Sequence, residues 1–454
     1  MAEGVMLFKE HSLTEGNITP QLIRFAIPYM SANLLQALYG AIDTVIVGHY
    51  TNAAGLSAAA IGSQFMFLIN GIIIGLSLGG TILIARYFGA KSDTDIKETI
   101  GTMFTLFAIV SIALTMVMFA SVRPLVRVLQ TPSEAVSQTE GYIFISSAGI
   151  SFMFAYNALS AMLRGFGDSK SPLAFVAIAS VCNVIGDLIL VAVFKMGAPG
   201  AALATILSQG LSAALAVIYL KKQNFHFDFK LDSFRIKREK LKNLLKIGLP
   251  MSVQMSMTTV SFMFIMATVS VMGGVVASAA IGITSKINGF VMLPPIAFSA
   301  AISAMVSQNM GAGRPKRAIK CLYVGISVTL VFGVISFALL QFFSPTVIKI
   351  FTPDTELIRA TSLYLKSFSI DCILVCFVFC LNGFFNGCGH TRFSMVNNLM
   401  AAFLVRVPAT WLLSKVPGAD LFSIGFATPM SSLLSITIGI IYLRSGRWRK
   451  LKLS

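Results

Sequence analysis

Charged residues are scarce in this sequence, and acidic residues are the scarcest of them. Charged side chains make up 12% of the 454 residues, with 18 Asp and Glu against 35 Lys and Arg, whereas 56% of the residues are hydrophobic. A water-soluble chain of this length needs more charge to cover its surface. The hydrophobic residues form blocks of about twenty or more, long enough for helices that cross a ~30 Å hydrocarbon layer. We therefore predict an all-α polytopic membrane protein.

Histidine and cysteine are also scarce, with four and six residues, and neither has the spacing of a metal site. Cys372, Cys376 and Cys380 share a helical stripe without a nearby His, so we interpret them as packing thiols. No nucleophile, base and metal ligands converge in the pattern. We expect no enzyme activity, no metal and no cofactor.

Positive charge is abundant, and its position predicts topology. The net charge of +17 lies in short loops rather than on an aromatic-rich basic face, which argues against nucleic-acid binding. Residues 1–19 are polar and lack a small-residue cleavage pattern, so we expect no cleaved signal peptide. With the amino end in the cytoplasm, inside segments hold 26 Lys and Arg and outside loops hold 7. We predict a multi-pass inner-membrane protein with both termini in the cytoplasm.

Hydrophobicity and helix signals predict twelve transmembrane helices. The predicted spans are 20–47, 56–86, 97–122, 140–163, 171–194, 198–220, 244–270, 279–308, 317–343, 358–383, 392–414 and 420–443. Between the sixth and the seventh lies a basic connector, 221–246, with nine Lys and Arg residues. The connector separates two segments that resemble each other.

The two segments form an internal repeat whose matching residues are separated by a nearly constant offset. Pro28 in FAIPYM matches Pro250 in IGLPMS, and Tyr142 matches Tyr364 at the same offset. Six spans per copy is an even number, so both copies enter the membrane from the same side. We predict two pseudo-symmetric six-helix bundles, at 1–220 and 247–454, with the substrate cavity between them.

Several motifs together resemble one transporter family. These are the segment from Asp43 to Gly48, LRGFGDSKSP at 163–172, NVIGDLILV at 183–191, GAPGAALAT at 197–205 and RVP at 406–408. In this order and spacing they resemble the multidrug and toxic compound extrusion (MATE) family. The resemblance implies a V-shaped pair of bundles that exports drugs by proton or sodium antiport.

The resemblance is closer to the DinF-like branch of that family than to the NorM-like branch. The DinF-like pattern has an acid in helix 1 and an Asn-x3-Asp pair in helix 5, matched here by Asp43, Asn183 and Asp187. The NorM-like pattern has a Glu in helix 7, where this chain has Thr258 and Thr259. The resemblance also implies polar residues in the substrate cavity, namely Asn157, Thr205, Gln36 and Tyr39.

Away from the ends of the predicted spans, only three acids fall within them: Asp43, Asp187 and Asp371. Each costs roughly 2.5–3.5 kcal/mol to insert, so it is a candidate functional residue. We predict that Asp43 and Asp187 couple transport to ions, and that Asp371 forms a structural ion pair with Arg406. The repeat partners of Asp43 and Asp187 are Ile265 and Ala409, so ion coupling is expected in the first bundle alone.

Two residues of the second bundle are further candidates for the cavity wall. Met255 lies in a Met-rich part of helix 7, where thioethers can adapt to varied ligands. Lys286 lies within helix 8, and its ammonium either extends to the lipid headgroups or faces the cavity.

The sequence therefore predicts a monomeric, proton-coupled antiporter that exports lipophilic or cationic small molecules by alternating access. It requires no cofactor, and its other partners are membrane lipids. Two alternatives stay open: a sodium-coupled drug antiporter, and a lipid-linked oligosaccharide flippase of the same superfamily. The flippase ranks lower because a strongly cationic cavity is expected for it, and only Lys286 and Arg406 are counted as intramembrane cations once the residues assigned to the loops are set aside.

Overall fold

A computed structural model describes residues 12–128, 131–223, 231–416, 418 and 420–449, and these form helices without any strand. A helix satisfies its own backbone hydrogen bonds, which hydrocarbon cannot do for it. In this part of the chain ten helices are long and apolar enough to cross a membrane, or twelve if two bent pairs each count as one span. The predicted all-α polytopic fold class is confirmed.

The first half contains α1 (Ile18–Tyr50), α2 (Ala53–Gly89), α3 (Asp93–Val128), α4 (Val136–Ala148), α5 (Ile150–Gly165), α6 (Lys170–Asp187), a π-helical segment (Leu188–Val193) and α7 (Ala198–Lys222). The second half contains a 3₁₀ turn (Leu231–Phe234), α8 (Arg238–Val291), α9 (Leu293–Gly311), α10 (Pro315–Phe342), α11 (Ser344–Lys349), α12 (Thr355–Phe368), α13 (Asp371–Gly387), α14 (Thr391–Met400), a π-helical segment (Ala401–Arg406), α15 (Val407–Lys415), α16 (Leu421–Gly425), α17 (Ala427–Arg444) and a 3₁₀ turn (Arg447–Arg449).

The chain divides into two compact units whose limits differ from the predicted domains 1–220 and 247–454. The first unit is built on Ile27–Ser252, and the second on Val253–Ser454 together with Leu13–Ala26. The beginning of α1 therefore belongs to the second unit, and the beginning of α8 to the first. Contacts made by the first residues of α1 and by the first residues of α8 account for the difference.

The start of α1 is fixed within the second unit by hydrogen bonds and apolar packing. The backbone N–H of Leu13 donates to Gln308 Oε1 at 2.9 Å, and Asn309 Nδ2 donates to the carbonyl of Leu13 at 3.1 Å. Leu22 and Phe25 are buried in the same apolar cluster. These contacts join segments that are far apart in the chain, which local sequence patterns do not reveal.

The start of α8 is fixed within the first unit by a buried lysine. Lys240 forms a salt bridge with Asp95, and its ammonium lies 4.6 Å from the centroid of the Tyr87 ring. Since α8 begins at Arg238, the predicted connector 221–246 is helical from that residue to its end. Residues 224–230 of that connector lie outside the described part of the chain.

The two halves bend at positions that match across the predicted repeat. Helices α4 and α5 meet at 41° around Gly149, and α12 and α13 meet at 48° just before Asp371, the repeat partner of Gly149. The turn before α2 is capped by Asn52, whose side chain accepts from Gly55 N–H. The repeat partner of Asn52 is Gly274, which interrupts α8 with φ +60°, a backbone conformation that favours glycine.

A small-residue contact brings α2 and α8 close together within the first unit. A Cβ atom added at Gly79 would lie 2.8 Å from the Cα of Gly248. Side chains larger than glycine therefore cannot be accommodated here without a backbone shift, as is common where small residues let two membrane helices approach closely.

In the second unit Asp371 is buried and Arg406 is half-buried, and the two form no salt bridge within 4.0 Å among the described residues. The Arg406 Nε donates to Ser431 Oγ at 3.2 Å, and its guanidinium lies 5.2 Å from the centroid of the Phe262 ring. The Asp371 carboxyl contacts Ser432, the residue next to Ser431. The direct contact predicted from sequence is thus replaced by attraction between separated charges, because Arg406 bonds to Ser431 and Asp371 lies beside Ser432, both on α17.

Substitution Gly79→Ala is expected to destabilise the protein by about 1–3 kcal/mol, because overpacking forces α2 and α8 apart. Gly282→Ala serves as the control, since an added Cβ at Gly282 meets nothing within 4 Å. Thermal unfolding in detergent should show a lower Tm for Gly79→Ala and an unchanged or slightly higher Tm for Gly282→Ala. Equal Tm values for the two variants would contradict the close contact.

Single substitutions Asp371→Asn and Arg406→Gln should each lower the Tm, because each leaves one buried charge without compensation. The double variant should recover part of the loss. The coupling should stay below the ~3–5 kcal/mol typical of breaking a contact pair in a protein core. A double-mutant cycle on thermal stability measures this coupling, and a coupling of zero would show that the two charges act independently.

Candidate functional site

A polar cavity of about 140 Å³ lies within the first unit. Its walls come from α1, α2, α5 and α7 and from the beginning of α6. The lining residues are Tyr29, Ala32, Asn33, Gln36, Tyr39, Asn70, Ile74, Ser77, Leu78, Met153, Tyr156, Asn157, Arg164, Ser169, Pro172, Thr205 and Gln209. Uncharged hydrogen-bonding groups dominate this lining, together with tyrosine rings and one cation.

One face of α1 supplies most of the polar wall. Tyr29, Asn33, Gln36 and Tyr39 follow one another at intervals of three or four residues, which places them on the same side of a helix. The Tyr39 hydroxyl accepts from Gln209 Nε2 at 3.3 Å, so this face is bonded to α7. The cavity wall is therefore partly held in place by its own hydrogen bonds.

The opposite wall is a face of α5. Asn157 Nδ2 donates to the carbonyl of Met153 at 2.9 Å, and the Tyr156 hydroxyl donates to the carbonyl of Pro172 at 3.4 Å. Arg164 follows Asn157 by seven residues, which is two helical turns, and so lines the same cavity.

Asp43 continues the polar face of α1 one turn beyond Tyr39 and meets a second acid there. Its Oδ2 accepts from Thr205 Oγ1 at 3.2 Å, and Asn183 Nδ2 lies 3.5 Å from the same Thr205 oxygen. The carboxyl groups of Asp43 and Asp187 are within hydrogen-bonding range of each other. Thr205 also lines the cavity, so one hydroxyl connects the cavity with the pair of acids.

The acid pair has few hydrogen-bond donors among the described residues. Both Asp187 oxygens, Asp43 Oδ1 and Asn183 Oδ1 are buried, and none accepts a hydrogen bond from any described residue. Asp187 and Asn183 are each 0% exposed. A carboxylate donates nothing, so the two acids can bond to each other only if one of them carries a proton. The buried oxygens without donors therefore suit a bound proton or another small cation.

The helix that carries Asp187 changes its geometry at that residue. Asn183 and Asp187 are four residues apart on α6 and so face the same way. The next six residues, Leu188–Val193, form a π-helical segment. Such segments are rare and occur frequently at functional sites. The change in helical geometry was not evident from the sequence.

The structure brings together every first-unit residue that the sequence analysis selected. Asp43, Asn183, Asp187 and Thr205 form one cluster, and Thr205 also lines the cavity with Gln36, Tyr39 and Asn157. Met255 and Lys286 belong to the second unit, where Met255 is half-buried and Lys286 exposed, and neither lines this cavity. The cavity described here lies inside the first unit, whereas the sequence analysis expected one between the bundles.

Sequence reasoning missed several lining residues, above all Arg164. It assigned Arg164 to the loop after the fourth span, because predicted boundaries are uncertain by several residues. The spacing from Asn157 to Arg164 would have indicated that both side chains lie on the same face, since seven residues correspond to two turns of a helix.

Comparison with known proteins agrees with this architecture. The MatE family model matches residues 28–189 and again 250–412, and the two matches begin at the repeat partners Pro28 and Pro250. The chain is 31% identical to the probable multidrug resistance protein YpnP of Bacillus subtilis, over 98% of this chain and 99% of that protein. It is 26% identical to the probable multidrug resistance protein NorM of Thermotoga maritima, over 98% and 96% of the two chains.

A solved structure shows the same fold. It is a multidrug resistance MATE family transporter of the MOP superfamily in an outward-facing conformation, with a TM-score of 0.91, 21% identity and full coverage of both chains. The doubled family match and the full-length similarity to YpnP together identify the chain as a member of the MATE family of membrane transporters.

Proposed function

We propose that this protein exports lipophilic or cationic small molecules across the cell membrane in exchange for protons, and that the Asp43–Asp187 pair binds the proton. One observation carries the proposal: the buried carboxyl group of Asp187 and the half-buried one of Asp43 lie within hydrogen-bonding range of each other, next to a polar cavity. The MATE relatives named as multidrug resistance proteins support the class of substrate.

The proton would change both the charge and the hydrogen bonding of the site. Two carboxylates this close repel each other strongly in a poorly hydrated place, so the pair favours binding one proton. With the proton bound, one acid donates to the other. Without it, repulsion acts between α1, which carries Asp43, and α6, which carries Asp187. Protonation thus biases the packing of two helices that line or flank the cavity.

A cationic substrate bound in the cavity would also affect the protonation of the acid pair. Thr205 lines the cavity and bonds to Asp43, so a positive group near Thr205 stabilises the ionised acid pair. Substrate binding therefore favours proton release, and proton binding weakens the attraction for the substrate. This reciprocal effect is the linkage that antiport requires.

Sodium is the second candidate for the coupling ion, because the same oxygens suit it. Asp43 Oδ1, Asn183 Oδ1 and the two Asp187 oxygens lack donors, and hard cations take oxygen ligands of this type.

The excess of Lys and Arg in the predicted inside loops supports an orientation with both termini in the cytoplasm.

Asp187→Asn is expected to abolish gradient-driven export without unfolding the protein. The Asn amide can donate permanently to Asp43, as the protonated acid would, but it cannot release a proton. Substrate-induced proton release from purified protein, followed with a pH-indicator dye, should disappear while thermal stability is kept. Proton release equal to that of the wild type would remove Asp187 from the coupling site.

Asp43→Asn and Thr259→Ala test whether coupling is confined to the first unit. Thr259 lies in the second unit, and its hydroxyl donates only to the carbonyl of Met255 on its own helix, at 3.4 Å. Export is measured in proteoliposomes with proton and sodium gradients imposed separately. Asp43→Asn should stop export and Thr259→Ala should not.

The same assay identifies the ion. Export by the wild type under a proton gradient alone supports the proposal, whereas export under a sodium gradient alone selects the sodium alternative. Equal loss of export in both variants would show that the second unit shares the coupling site.

A further inference from the structure

One cation lines the cavity, and its charge is not neutralised by a neighbouring acid. The Arg164 guanidinium lies 5.2 Å from the centroid of the Tyr29 ring, in a cation–π contact with another lining residue. Its Nε is buried and forms no hydrogen bond with any described residue. Among those residues no carboxylate lies within 4.0 Å of its nitrogens.

The acid nearest to Arg164 in sequence is engaged elsewhere. Asp168 is buried, and its Oδ1 accepts from the backbone N–H groups of Lys170 and Ser171 at 3.0 Å each. Its Oδ2 accepts from the Ser171 hydroxyl at 2.6 Å. These bonds fix Asp168 as a cap for the beginning of α6. Because both Asp168 oxygens are engaged at the beginning of α6, Asp168 does not serve as the partner of the Arg164 guanidinium.

The Arg164 guanidinium stands in the last turn of α5 and lines the cavity from there. Its planar set of N–H donors matches the two oxygens of a carboxylate or a phosphate, and an adjacent aromatic ring keeps the plane oriented. At another point of the lining, Thr205 connects to the acid pair. The cavity thus contains one place that suits an anion and one that suits a cation.

We propose that Arg164 is a substrate-binding residue that receives a carboxylate or phosphate group of the transported molecule. Preferred substrates are then amphoteric molecules, with an anionic group at Arg164 and a cationic or hydrogen-bonding part near Thr205. This inference rests on the proposed export function and names the substrate class of the same cavity. It extends the expected lipophilic or cationic substrates to molecules that also carry an oxyanion.

A matched pair of dyes tests the proposal: a xanthene dye with a free carboxylate, and the ethyl ester of the same dye. Binding to purified protein is measured by fluorescence polarisation, and export is measured in proteoliposomes made only of zwitterionic lipid. The variants are Arg164→Gln and Arg164→Lys. Lys170→Gln is the control, because Lys170 is exposed, lies six residues away and does not line the cavity.

Arg164→Gln should weaken binding of the free acid by about tenfold or more, the loss expected for one charge-assisted hydrogen bond. Binding of the ester should stay within about twofold of the wild type, since the ester lacks the charge that Arg164 recognises. Arg164→Lys should be intermediate because it keeps the charge but loses the planar donor set. Lys170→Gln should bind both dyes like the wild type.

Equal weakening of both dyes would show a structural role and overturn the proposal, as would unchanged binding of the free acid. A third arm adds an anionic phospholipid, phosphatidylglycerol, as a competitor. If Arg164→Gln alters only the effect of that lipid, the arginine binds a lipid headgroup and the proposal is overturned. Wild-type protein that binds the free acid but exports neither dye under any gradient contradicts the proposed export function, while the binding results still decide the role of Arg164.

Discussion

Two carboxyl groups within hydrogen-bonding range of each other, in a place with few donors, constrain the first unit more than any other contact. Asp187 is fully buried, and Asp43 is half-buried with one oxygen enclosed. Such a pair is stable only when a cation or a proton compensates its charge. The Thr205 hydroxyl supplies one donor to this site and also borders the cavity. The proposed ion site and the proposed substrate cavity are therefore physically adjacent.

The two halves of the chain share a fold but differ in the residues that can titrate. At the positions equivalent to Asp43 and Asp187 the second half has Ile265 and Ala409, and Ile265 is buried in an apolar cluster. Conversely, Asp371 stands where the first half has Gly149, at the bend shared by both copies. Duplication thus kept the backbone geometry while the chemistry of each unit diverged.

The cavity is polar, with a cation in its lining and the acid pair behind that lining, which distinguishes it from an apolar binding pocket. The α1 face contributes amides and phenols, α5 contributes Arg164, and the acid pair lies behind Thr205. Hydrogen-bonding groups of both kinds can orient a ligand, and the tyrosine rings supply flat apolar contact.

The sequence by itself determined the membrane class, a set of ten to twelve spanning helices, the repeat and the acids of the candidate site. Hydrophobic length, charge position and the constant offset between repeat partners are properties of the linear chain, and the four-residue spacing of Asn183 and Asp187 is set by helix geometry. Only the tertiary structure decided that α1 begins in the second unit, that α6 changes geometry after Asp187 and that Arg164 lines the cavity. These features depend on packing between distant segments, as between Asp43 and Thr205, which are 162 residues apart. No local pattern specifies which side chains meet across such a separation.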